Sequence, residues 1–390
     1  MHMMDDMTLG GLARIGFVSE LSPTRREAWS GTIGFILEAL KAAGGNVVPL
    51  EPIWERPTIA LNIASKITKR LTGSDPMLNR SHFVARQKGH ALERVVRQSR
   101  VDAIFAPAGS SLIAKVPAGL PIAYSSDATL RLLLDYYPAF TGLSAAAIKR
   151  GIALERQAME RADLLVYPTH WAAESAISDY GIDPARILVQ PFGANLKTPP
   201  SRESVLAPRE PGPLRLLFCG VDWKRKGGDI ALETLDILNC NDVPAELTVL
   251  GCVPPVKGLP ANVHVIPFLD KNIPEQREAF EKIFRTSDIL IMPTQAECYG
   301  LVFCEAAAYG MVSVASRTGG IPEIIREGET GFVITLEAAA PAYAKAIMTI
   351  AGTQGQLEKM KRAARDDFEA RLNWTVWGKA VLARIDMLLQ

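Results

Sequence analysis

Cysteine is scarce in this 390-residue chain. There are five, Cys219, Cys240, Cys252, Cys298 and Cys304, and all fall in the second half. No Cys-x-x-Cys pair occurs, so neither a disulfide framework nor a zinc site is expected, and a reducing compartment is the default. No run of about 18 uncharged apolar residues is present, so no transmembrane helix is expected. Residues 1–7 are methionine-rich but carry Asp5 and Asp6 and no apolar core, which does not read as a signal peptide. Charge of one sign is missing as well. Lys and Arg number 43 against 42 Asp and Glu, so bulk charge favours no partner and no nucleic-acid role is expected. Repeats and low-complexity tracts are absent. A Walker A loop is absent too, and no convincing Asp-x-Asp element stands beside a strand, so no metal site is expected.

What is present is a strand–helix rhythm. Residues 13–19 and 46–50 read as strands around a helix at 33–42, the opening of a parallel α/β sheet. Further strands are read at 101–106, 120–124 and 163–168, with a helix over 144–161. Residues 197–213 hold Pro199, Pro200, Pro208, Pro211 and Pro213 and read as a linker. The rhythm restarts at Leu214, with strands at 245–250, 263–266, 289–292, 312–315 and 331–334. At the tail, Trp377, Val381, Ile385 and Leu388 line one face of a helix. The expected organisation is a first domain at 1–196, the linker, a second domain at 214–372 and a terminal helix at 373–390.

Residues 56–100 differ in composition, with ten Lys and Arg against Asp75 and Glu93. Ile59, Ile63, Ile67 and Leu71 recur every four residues, with Lys66, Lys69 and Arg70 placed on another face. Arg86, His90, Arg94 and Arg97 repeat the pattern. Such helices can rest on anionic membrane. They can equally be ordinary solvated surfaces.

The chain's centre of gravity is 289–310. A buried strand ends at Pro293, a polar loop carries Glu297, and Gly300 opens the apolar helix of Leu301, Val302 and Phe303 that contains Glu305. A carboxylate in an apolar helix needs a partner, and no basic residue stands three or four positions from Glu305. The turn sits at the carboxyl edge of a sheet, where open α/β proteins bind ligands. The helix start suits phosphate. Two hydroxyl acceptors and one anion hole suggest a sugar nucleotide. Residues 220–229 are the second informative stretch. Lys224, Arg225 and Lys226 crowd one turn before Gly227 and Gly228, and such cations repel unless an anion holds them, which a diphosphate would do.

Three positions stay open between readings. Gly31 either lets backbone approach a ligand or simply starts a helix. Asp127 either faces the ligand at a strand's end or caps the helix from Thr129. His170 lacks an evident acid partner and reads as a helix-start or surface histidine.

Glu297 and Glu305, within Glu-Cys-Tyr-Gly-Leu-x-x-x-Glu-Ala-x-Ala-x-Gly and followed by Gly319-Gly320-Ile321-Pro322-Glu323, resemble the Glu-x7-Glu motif of retaining GT-B glycosyltransferases, family 4 in particular. The resemblance implies two Rossmann-like domains with a cleft between them and a terminal helix crossing back to the first. It implies transfer from a UDP- or GDP-sugar to a glycan or lipid-linked hydroxyl, with retention and no cofactor or metal. It places Lys226, with Arg225, on the phosphates. Glu305 would take the ribose, Glu297 a donor-sugar hydroxyl, and the N–H groups of Gly300, Leu301 and Val302 the leaving oxygens. The loop at Leu269 would line the base, and Asp127 stands where some members carry a histidine. A cytoplasmic location, with contact to anionic membrane through 56–100, goes with a lipid acceptor. Alternatives are an epimerase or phosphorylase of the same fold, or a protein that binds sugar nucleotide without turnover.

Overall fold

The computed structural model describes residues 13–390 except 21, 25–28, 51–54, 117–118 and 210–211, and only the backbone of 30, 55, 56 and 58. The expectations for residues 1–7, Pro211 and the Arg56 side chain lie outside the described residues. The chain forms two compact units. One runs to Tyr167 and includes Ser175–Gln190 and Gly378–Gln390. The other comprises Pro168–Glu174 and Pro191–Trp377.

In the first unit, short apolar runs form six parallel strands. They are β1 (Arg14–Phe17), β2 (Asn46–Pro49), β3 (Ala103–Pro107), β4 (Ile122–Ser125), β5 (Leu164–Tyr167) and β6 (Ile187–Val189). Their spatial order is β2-β1-β3-β4-β5-β6. Registers such as Ile15 against both Val47 and Ala103 place all strand ends on one edge. Strands β3, β4 and β5 are buried on both faces, as parallel strands covered by helices must be. The helices are α1 (Thr32–Ala42), α2 (Glu55–Thr72), α3 (His82–Ser99), α4 (Ser110–Ile113), α5 (Leu130–Leu133), α6 (Ala145–Arg161) and α7 (His170–Ser178), the last shared between units.

Helix α2 departs from its sequence reading. Ile63, Ile67 and Leu71 are 54%, 54% and 81% exposed. Lys66 and Arg70 are exposed on the same side rather than on another face. The inward side is small and polar instead. Ser65 is buried and accepts from the Leu78 N–H at 3.0 Å, and the half-buried Lys69 donates to the Thr141 carbonyl at 2.7 Å at the surface.

The second unit repeats the architecture after the proline-rich stretch, which holds α8 (Arg202–Leu206), capped by Ser201. Its strands are β7 (Leu214–Cys219), β8 (Ala245–Leu250), β9 (Val263–Ile266), β10 (Ile289–Met292), β11 (Val312–Ser316) and β12 (Gly331–Ile334). They are parallel, in the order β12-β11-β10-β7-β8-β9. The helices are α9 (Gly228–Cys240), α10 (Pro274–Thr286), α11 (Leu301–Ala308), α12 (Ile321–Ile324), α13 (Ala340–Gly352), α14 (Gln356–Ala370) and α15 (Trp374–Leu388), the last divided so that Gly378 onward belongs to the first unit. Trp377, Val381 and Ile385 of α15 are buried, as the spacing requires, and Leu388 is half-buried.

Candidate active site

Counted from β7, the second sheet runs 3-2-1-4-5-6, and its order reverses between β7 and β10. Ligands of open α/β sheets bind outside the carboxyl ends of the strands at such a reversal. The two loops leaving that point are 220–227 and 293–300, the stretches singled out in the sequence. Backbone geometry binds them together. The Arg225 carbonyl accepts from the Gln295 N–H at 2.8 Å and from the Thr294 hydroxyl at 3.2 Å. Arg225 Nη1 donates back to the Ala296 carbonyl at 2.8 Å. Gly227 has φ +78°, and a Cβ there would lie 2.0 Å from the Pro293 carbonyl oxygen, so only glycine permits this approach.

Each acid of the paired motif meets a lysine. Lys226 Nζ donates to Glu297 Oε2, with the two side chains 11% and 13% exposed. Lys271 Nζ stands 2.6 Å from Glu305 Oε1 and also donates to the Asn195 carbonyl at 3.3 Å. Glu305 is therefore not stranded. Its partner lies 34 residues away, in the loop after β9, beyond any local spacing rule. The cation cluster is likewise balanced within the fold. Lys224 pairs with Asp229 at 2.6 Å and Arg225 approaches Asp222 at 3.6 Å, so no bound anion is needed to hold the turn together. Cys219 ends β7 in reach of the same charges. Burial pushes its thiol up to about 12; Glu305 acts in the same direction, and Lys271 and Lys226 oppose. Burial likewise pushes Cys304 up to about 12. Both thiols are protonated at neutral pH and are poor nucleophiles.

Gly300, φ +90°, is the N-cap of α11, and no side chain caps the helix. In its first turn the Phe303 N–H is taken by the Gly300 carbonyl at 3.0 Å, and the half-buried Leu301 and Val302 precede it with backbone donors of the kind a helix start leaves. Leu269 is half-buried two residues before Lys271. His170 starts α7 with its side chain 72% exposed, as read from the sequence, and it has an acid partner that the sequence did not reveal. Glu323 accepts from the His170 N–H at 2.7 Å, from His170 Nδ1 at 2.9 Å and from the Trp171 N–H at 2.8 Å. The Glu323 carboxylate thus caps α7, which suits the positive end of the helix.

The remaining two expected residues lie in the first unit. Gly31, φ +81°, is the N-cap of α1, and a Cβ there would meet open space. Asp127 follows β4 and accepts from Trp29 Nε1 at 3.1 Å. The capping alternative for Asp127 is removed, because Thr129 itself caps α5. The first sheet runs 2-1-3-4-5-6, so its own reversal lies between β1 and β3. Three residues missed in the sequence meet at the ends of these strands. Lys88, fully buried on α3, reaches Ser111 at 2.9 Å and Glu20 at 3.0 Å. The overlooked signal was a lysine on the apolar face of α3, between Val84 and Leu92.

Residues 213–353 match the family described as glycosyl transferases group 1. The D-inositol 3-phosphate glycosyltransferase of Paenarthrobacter aurescens is 30% identical over 191 residues, 46% of this chain and 47% of the relative. That of Corynebacterium efficiens is 33% identical over 199 residues, 46% of each. The chain thus spans about half the length of the curated relatives it matches. Among solved structures, sucrose-phosphate synthase from Thermosynechococcus elongatus superposes with a TM-score of 0.67 at 16% identity, covering 96% of this chain and 98% of that one. Anabaena Alr3699/HepE in complex with UDP gives 0.63 at 16% identity, covering 96% and 100%. At such identity the likeness establishes the fold.

Proposed function

We infer that this chain, which has the GT-B fold and whose residues 213–353 match the glycosyl transferases group 1 family, transfers a sugar from a UDP- or GDP-linked donor to an acceptor hydroxyl with retention of configuration. The observation that carries this reading is the pair of lysine–glutamate contacts, Lys226 with Glu297 and Lys271 with Glu305, around the uncapped start of α11.

In the proposed reaction the bond between the anomeric carbon and the diphosphate breaks. Negative charge builds on the leaving phosphate. A lysine has three N–H donors, so Lys226 can keep Glu297 and still present a donor to that phosphate. The backbone N–H groups at the start of α11 add to it. Fixed donors aimed at developing charge are usually the largest catalytic contribution, about 3–4 kcal/mol for one. Glu297 then both steers Lys226 and accepts a donor-sugar hydroxyl. Glu305 exchanges Lys271 for the ribose hydroxyls, and the Leu269 loop lines the base. The acceptor hydroxyl attacks from the face the diphosphate leaves, and its proton passes to the leaving phosphate oxygen. Asp127 and Gly31, at the ends of the first sheet, are assigned to the acceptor and reacting sugar. No step needs a metal.

The acceptor is a glycan or a lipid-linked hydroxyl, and a lipid acceptor goes with a cytoplasmic protein touching anionic membrane through residues 56–100. All five cysteines are free, which fits a reducing compartment. Among the described residues no helix is long and apolar enough to cross a membrane.

The test is a panel of nucleotide sugars scored by thermal shift and by release of nucleoside diphosphate, with EDTA in a parallel arm. Expected is release with one donor class, unaffected by EDTA. Binding without release would point to a silent binding protein, phosphate-dependent turnover to a phosphorylase, and loss in EDTA would end the metal-free scheme.

A further inference from the structure

Helix α2 wears its apolar residues on the outside. An ordinary surface helix buries its apolar stripe and solvates its charges. Here the inward side carries Leu61, Ala64, Ser65 and Thr68, of which only Ser65 is fully buried, and the outward side carries Ile63, Ile67 and Leu71. Phe83, in the first turn of α3, is 71% exposed as well. Among the described residues of the first unit, the exposed large apolar side chains other than Met387 all lie between Ile63 and Phe83. Ile63, Ile67 and Leu71 thus form one stripe on α2, unlike the single exposed apolar residues normal on any surface.

Its charge is one-sided. Lys66 and Arg70 flank Ile63 and Ile67, and Arg86, Arg94 and Arg97 are exposed along α3. The two acids of 57–100 are both withdrawn. Asp75 accepts from the Met77 N–H at 2.8 Å, and Glu93 pairs with Arg97 at 2.6 Å. A protein partner reading only the stripe would need no such surplus. A surface that accepts apolar side chains to a shallow depth while attracting cations is a bilayer with anionic headgroups. Eighteen residues make α2 about 27 Å long, enough to lie along the interface rather than touch it at a point.

We propose that the outward face of α2, with Ile63, Ile67, Leu71, Lys66 and Arg70, joined by Phe83, docks this protein on anionic membrane. The proposal deepens the transferase reading by making the membrane the place where a lipid-linked acceptor is met, and it rests on that reading for the acceptor alone.

The experiment is co-sedimentation of the full chain with vesicles of phosphatidylcholine alone or mixed with phosphatidylglycerol. Expected is binding to the mixed vesicles that high salt weakens. Lys66→Gln and Arg70→Gln should each lower it by about fivefold. The pair Leu71→Ser and Phe83→Ser should lower it by about tenfold or more. These side chains are exposed, so circular dichroism should stay unchanged. The proposal is overturned by equal binding to both vesicle types, by no binding, or by stripe variants that bind as the native chain does. It is also overturned if sedimentation equilibrium finds a dimer that Leu71→Ser dissolves, since the stripe then belongs to a second copy. Nucleoside diphosphate release is followed in vesicle-free buffer on the same proteins. Its absence with every donor strikes at the transferase reading alone.

Discussion

Glu305 in α11 of the second unit and Glu155 in α6 of the first are equally hidden, at 6% and 4% exposure. They are held in opposite ways. Glu155 accepts from the Leu130 N–H at 2.7 Å and from the Tyr180 hydroxyl, both neutral donors fixed by packing. Burial pushes its carboxyl above the ordinary value, with Arg80 opposing. Glu305 is held by an ammonium at the end of a flexible stem, and the Lys271 side chain is 32% exposed. A carboxyl locked by backbone and phenol suits a permanent part of the scaffold. A charged pair with one partner near water suits exchange, because an incoming ligand can replace the lysine without leaving a buried charge bare. One fold thus contains a structural glutamate and a glutamate whose partner can be displaced.

The largest way to break this contrast is through the other exchangeable pair. Lys226→Ala should cut turnover by about 10²–10³-fold, while affinity for the bare nucleoside diphosphate falls by about tenfold or less. Steady-state rates set against calorimetric binding check this, and equal losses in both would remove the transition-state role.

Next comes Glu305→Ala, for which the nucleoside diphosphate should bind about 10–100-fold more weakly, the worth of charged hydrogen bonds. Lys271→Met sharpens the point. It leaves Glu305 buried without its cation and should destabilise the free protein by about 3–5 kcal/mol. Bound nucleotide should then raise Tm more in this variant than in the native chain, and an equal or smaller rise would contradict exchange.

The smallest effect belongs to Glu155→Gln. Because the folded state holds the proton of Glu155 more tightly than the unfolded chain does, its contribution is complete below the ordinary value of 4.5. That contribution is lost as pH rises through the folded value. Glutamine keeps an acceptor and cannot ionise. Urea midpoints should therefore favour the variant increasingly above about pH 5, whereas a constant offset would assign Glu155 a purely steric part.

The alternation of apolar runs with helical periods was enough to read both sheets, because parallel strands buried on two faces are continuous apolar segments. Spacing also located Glu297, Glu305 and the cation turn, since Glu297 and the turn lie in loops fixed by Gly300 and Gly227 and Glu305 stands in the helix that Gly300 starts. What local spacing could not supply was pairing across loops. Lys271 meets Glu305 only when the end of β9 comes beside α11, and Glu323 meets His170 across 153 positions. Orientation failed at α2 for a related reason. The four-residue recurrence from Ile59 to Leu71 was real, but periodicity says that a stripe exists and not which way it faces. Here Ser65, with the Leu78 N–H to satisfy, took the inner side.

The zipper between 220–227 and 293–300 has an evolutionary corollary. With the Arg225 carbonyl shared by Thr294 and Gln295, and with Gly227 pressed on the Pro293 carbonyl, neither segment can change shape alone. The two segments would then be inherited together in this lineage, and a chimaera that imports one without the other should misfold at the seam.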